Sequence, residues 1–64
     1  GVASEFQTQA QRMAEVTFYL GQYYLAQGDV AQARDYFQQT LATGVTSYFE
    51  YSGAVAELGR IGAP

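Results

Sequence analysis

FYLGQYYLAQGDVAQARDYFQQTL, residues 18–41, decides the fold, and Gly28-Asp29 at its centre is the key. Glycine tolerates the left-handed backbone that closes a helix, and aspartate is a preferred N-cap for the next one. Gln32, three residues on, is placed as the reciprocal member of a capping box. One helix therefore ends at about Gln27 and a second starts at Asp29. Before the turn, Phe6, Ala10, Met13, Thr17, Leu20 and Tyr24 recur at spacings of four and three, which lines them along one helical stripe. After it, Val30, Ala33, Phe37 and Leu41, helped by Tyr36, form the second apolar stripe. Gln32, Arg34, Asp35, Gln38 and Gln39 fill its wet side, and Gly44 closes it.

Working outward, Ser4 with Gln7 reads as the capping box that opens the first helix. Downstream, Ser47 with Glu50 repeats that signature. Tyr48, Tyr51, Val55 and Leu58 then line an apolar face, opposite Glu50, Gly53, Glu57 and Arg60. Gly59, Gly62 and Pro64 bring the third helix to an end near Arg60. Val45 to Tyr51 contains β-formers, yet length and the Ser47 cap favour helix. The expectation is all-α: helices over about 4–27, 29–43 and 47–60, folded as one unit across 1–64. Such short connections make the first two an antiparallel hairpin, with the third as a C-terminal capping helix.

Composition bounds what such a unit does. The 64 residues include no cysteine and no histidine, so disulfides, structural zinc, thiol catalysis and His-based triads are all out. The redox compartment stays open for the same reason. Six acids against three arginines leave a formal charge of −3, which lacks the basic stripe of a nucleic-acid binder or an anionic-membrane binder. Hydrophobic residues at 48% are too many for disorder. A chain this short buries only ~60% of its unfolded surface, so association with more protein is expected. The absence of an initiator methionine favours a piece cut from a longer protein or a processed form.

Residues 14–47, AEVTFYLGQYYLAQGDVAQARDYFQQTLATGVTS, resemble one 34-residue tetratricopeptide repeat (TPR). Leu20-Gly21, Tyr24, Gly28-Asp29, Ala33, Phe37 and Leu41 stand where that repeat wants them. Gly21 and Ala33 are small where two helices cross, and Leu20, Tyr24 and Phe37 fill the space around the crossing. Thr17 replaces a usual Trp, Thr40 a usual Ala and Val45 a usual closing Pro. From about Thr17 to Gly62, the run FYLGQYYLAQGD, then Ala33, Phe37, the Val45–Phe49 turn, Glu50, Ala54 and Glu57-Leu58 is similar to the C-terminal end of the NlpI family of outer-membrane lipoproteins. That resemblance implies a periplasm-facing adaptor, membrane-held only through an upstream lipid anchor, which gathers peptidoglycan hydrolases and presents clients to a periplasmic protease. Other repeat lipoproteins, such as pilus-assembly factors, are an alternative, and a cytoplasmic location stays open.

No catalytic, metal or cofactor site emerges. Carboxylate pairs can serve a glycosidase, and Glu50 and Glu57 lie seven apart on one helical face, but that face also carries Arg60 and reads as solvated. Gly59 and Gly62 follow a helix, whereas a phosphate loop leads into one. Protein binding is what remains. In repeat arrays the first helix of each pair lines the ligand groove, which by resemblance assigns Glu15, Phe18, Gln22 and Leu25 to partner contact. Phe18 and Leu25 would hold an apolar segment, and Gln22 an extended backbone. The same residues could equally pack on a preceding repeat. Tyr19 and Tyr23 lie off the main stripe and are candidates for contact with a partner or neighbouring repeat, whereas Tyr24 and Tyr51 read as structural. The seam from Phe6 to Tyr24 also has coiled-coil spacing, so homo-oligomerisation is expected, with a purely structural self-association module as the alternative to an adaptor. An enzyme is not expected.

Overall fold

The computed structural model describes the backbone of residues 2–45 and 49–62 and the side chains of 9–45 and 50–62. Among these are three α-helices and no strand: α1 (Val2–Ala26), α2 (Val30–Ala42) and α3 (Phe49–Ile61). The molecule measures 41 × 18 × 17 Å.

The first turn closes as its sequence demands. Gly28 adopts φ +83°, a backbone region open to glycine at little cost. Its N–H donates to the Leu25 carbonyl at 3.0 Å, and the Asp29 N–H donates to Tyr24 at 2.9 Å. This pair of bonds satisfies carbonyls that the helix end leaves free. The Asp29 carboxylate accepts from the Gln32 N–H at 3.1 Å and caps α2. The expected return bond from the Gln32 side chain gives way to the Tyr24 carbonyl, which already holds the Asp29 N–H. At the other ends the expectations shift. α1 is already helical at Val2, so Ser4 and Gln7 sit inside it and Ser4 is not its N-cap. The Ser47 cap and Tyr48 lie outside the described residues; α3 starts at Phe49, with Glu50 in its first turn.

α1 and α2 run antiparallel: Thr17 meets Thr40, Gly21 meets Phe37, and Tyr24 stacks on Tyr36, so one index rises as the other falls. The core is Phe18, Ala33, Phe37, Ala54 and Leu58, with Tyr24, Leu25, Leu41 and Ile61 packed around it. Phe37 is fully buried, worth about 2–3 kcal/mol. Its ring lies over Gly21, where a built Cβ would fall 2.5 Å from Phe37 Cε1. α3 packs on both partners, and its Gly53 is the seat of the Phe18 ring.

This seating rotates two faces away from the expected stripes. On α1 the buried line is Ala14, Thr17, Phe18 and Gly21, whereas Met13, assigned to the buried stripe, is 53% exposed. On α3 the buried residues are Glu50, Ala54 and Leu58, while Val55 is half-exposed. Glu50 and Gly53, read as solvent-facing, instead point inward or against α1. The reason is close approach: the Phe37 ring settles on Gly21 and the Phe18 ring on Gly53, with small Ala33 and Ala54 fully buried in the same core. Val30 is also more exposed than its stripe position implied. Arg34, read as an outer solubility residue, is half-buried, and its Nε is buried with no hydrogen bond among the described residues.

Candidate protein-interaction surface

α1 turns about 100° per residue, which divides it into three faces. One carries Ala14, Thr17, Phe18, Gly21 and Leu25 toward α2 and α3. A flank carries Glu15 and Gln22, both exposed. The back carries Met13, Val16, Tyr19 and Tyr23, each more than half exposed.

The six residues expected to contact a partner therefore separate. Glu15, Gln22, Tyr19 and Tyr23 are on the surface. Phe18 is not: it is 6% exposed, sits on Gly53 and packs against Phe37 with ring centroids 5.9 Å apart. The α3 backbone occupies the space that a client side chain would need. Leu25 is half-buried against the core. Tyr23 meets Tyr24 edge-on at 5.2 Å, and Tyr24 stacks on Tyr36 at 5.5 Å with rings 3° from parallel. These contacts, together with the turn bonds to the Tyr24 carbonyl, stiffen the hairpin end under the exposed Tyr23.

The back stripe was the surface that spacing missed. Ala14, Phe18, Gly21 and Leu25 also recur at four and three, and the smallness of Ala14 and Gly21 is the signal that this line, one residue round from the expected one, faces a neighbouring helix. Among the described residues Gln9, Arg12, Met13 and Val16 line an open notch of about 330 Å³.

Charge is sparse near these faces. Glu57 and Arg60 pair with each other at 2.9 Å, one turn apart on α3, an exposed contact of small energetic weight. Buried Glu50 lies in the first turn of α3, where a helix end favours an acid. Among the described residues no three acidic side chains gather as a metal site would require, and no helix is long and apolar enough to cross a membrane.

No protein-family model matches the chain, and no solved structure matches it.

Proposed function

We propose that this unit is a non-enzymatic protein-binding module, a tetratricopeptide-like hairpin with a capping helix, which works as an adaptor in a cell-envelope lipoprotein. The observation that carries the reading is the close crossing at Gly21, where Phe37 of α2 lies directly on the α1 backbone. It supports a rigid hairpin that needs no ligand to be ordered, and a preformed surface is what an adaptor presents. Glu15 and Gln22 on the flank of α1, beside half-buried Leu25, supply polar contacts around a small apolar edge. Phe18 drops out of that surface and serves as its support.

The resemblance to outer-membrane lipoproteins names the clients: peptidoglycan hydrolases and a periplasmic protease. The test is direct binding of purified hydrolases and protease to the protein, with Glu15→Arg/Gln22→Arg as the variant. Capture is expected to weaken by ~10-fold or more with helicity unchanged, as for hot-spot residues. If the wild type captures none of these proteins, or the variant captures them equally well, the adaptor reading fails.

A further inference from the structure

We propose that Arg34 is the receptor for a carboxylate carried by a partner polypeptide, on the stretch of α2 between Val30 and Gln38. The site is separate from the Glu15–Gln22 flank of α1. It goes beyond the adaptor reading by naming the chemical group that is recognised.

Three observations lead there. The first is the state of the three arginines. Arg12 is exposed, where water serves its donors. Arg60 donates to Glu57 at 2.9 Å. Arg34 is half-buried, its Nε–H is shut off from solvent, and it has no acceptor or ion-pair partner among the described residues. Burying a donor without a partner costs stability, and more so for a charged group. Acids are not scarce in a chain with six of them, yet those on α2, at its cap and late in α3 are committed elsewhere. The Asp35 carboxylate, next in sequence, accepts from Gln39. Asp29 holds the Gln32 N–H, and Glu57 holds Arg60.

The second is place. Arg34 stands three residues before Phe37 and seven before Leu41, at the edge of the α2 face that meets the core. Helical side chains lean toward the N-terminus, so the stem runs back over the turn that holds Val30, itself 39% exposed. Packing along the stem takes up the freedom that a surface arginine would lose on binding, which favours the bound geometry in advance. The Nη groups, also without a protein partner among the described residues, are the edge left for a ligand.

The third is chemical fit. A guanidinium presents parallel donors that a carboxylate accepts two at a time. One carboxylate oxygen on Nη and, after a small outward swing of the stem, the other on Nε–H would satisfy the orphaned donor. Phosphate also matches the fork, but Asp35 beside it and a net charge of −3 oppose a doubly charged anion more than a single carboxylate. Val30, one turn away, offers an apolar contact to an adjoining side chain. The ligand is therefore a peptide whose carboxylate, from Asp, Glu or the chain terminus, sits beside an apolar residue.

Heteronuclear NMR of the full chain reads this directly, because Arg12→Lys, Arg34→Met and Arg60→Lys assign the Arg Nε–Hε signals. The probes are three valine-rich peptides: one blocked at both ends with a central glutamate, one without acidic side chains ending in a free carboxylate, and one blocked with glutamine for glutamate. The Arg34 signal is expected to move downfield and saturate with the first or the second, which tells a side-chain from a terminal carboxylate, and to stay in place with the third. Arg34→Met should weaken binding of that peptide by roughly tenfold or more without lowering the melting temperature, a combination that a purely structural arginine would not give. Arg34→Lys keeps the charge and loses the fork, so its affinity should fall between the two. A signal unmoved by both carboxylate peptides, one moved equally by the glutamine peptide, inorganic phosphate binding more tightly than either carboxylate peptide, or an Arg34→Met variant that binds as tightly as wild type would each overturn the proposal. Capture of hydrolases through the α1 flank depends on none of these results, so this inference and the adaptor reading fail separately.

Discussion

Thr17 and Thr40 face each other across the α1–α2 seam, hydroxyl to hydroxyl at 2.8 Å, both fully enclosed by the core. In the tetratricopeptide pattern proposed for residues 14–47, these are the two helical positions that depart from it, a bulky indole and a methyl giving way to a matched pair of hydroxyls. Thr17 Oγ1 also lies 2.7 Å from the Met13 carbonyl, and Thr40 Oγ1 donates to the Tyr36 carbonyl at 3.1 Å or to Thr17. Each hydroxyl has a carbonyl in reach on its own helix, Met13 or Ala14 for Thr17 and Tyr36 for Thr40, so each keeps a partner when the other is removed. Thr17→Val or Thr40→Val alone should cost about 1 kcal/mol, and the double variant less than the sum, because replacing both groups by apolar ones of the same shape is close to neutral. Urea denaturation of the four-member cycle measures the coupling, and strict additivity would contradict the assignment.

Gly21 and Gly59 are both helical, yet they should respond oppositely to alanine. A Cβ at Gly21 would meet Phe37 ring carbons at 2.5–2.9 Å, while at Gly59 nothing lies within 4 Å. Gly59→Ala should stabilise by ~0.5–1 kcal/mol through helix propensity. Gly21→Ala gains the same propensity and loses more, ending ~1–3 kcal/mol less stable from overpacking. Phe37→Leu should partly rescue Gly21→Ala in thermal melts, since the smaller side chain withdraws from the added methyl.

Gly53→Ala tests the α1–α3 contact. The new methyl would fall 2.8 Å from the Phe18 ring, so α3 must back away from α1. A loss of ~1–3 kcal/mol is expected, along with faster proteolysis near the α2–α3 connection. Unchanged stability would show that Phe18 has room to move.

Arg34 carries a buried donor without an acceptor among the described residues. Arg34→Met keeps the long aliphatic stem and deletes the orphaned group, so it should be neutral or stabilising by about 1 kcal/mol. Chemical denaturation reads it directly, and a loss of more than that would mean the guanidinium has a role that the packing does not reveal.

The helix count, the turn at Gly28-Asp29 and the packing of Phe37 on Gly21 were legible because each depends on a local requirement: a positive φ, a cap, or a small residue at a crossing. Which line of α1 and α3 faces inward was less legible. Two candidate stripes on α1 sit about 100° apart, and hydrophobicity favoured the one with Met13 and Leu20. The choice turned on Phe18 finding Gly53, a residue 35 positions away, and no local pattern announces such a match. For the same reason Phe18 passed as a surface candidate and Val16 went unnoticed. Glu50 and Arg34 were misplaced by the rule that charges face water, which holds on average and fails where a long stem or a helix end carries the group inward.

The two phenylalanines form a relay. Phe37 of α2 rests on Gly21 of α1, and Phe18 of α1 rests on Gly53 of α3, with the rings touching each other. Removing any one helix strips the lid from a ring seated on another, so a truncation after Gly44 would leave Phe18 wet and the remaining hairpin without its keystone. The smallest autonomous folding unit is then all three helices, and calorimetry should record a single all-or-none transition with equal van't Hoff and calorimetric enthalpies.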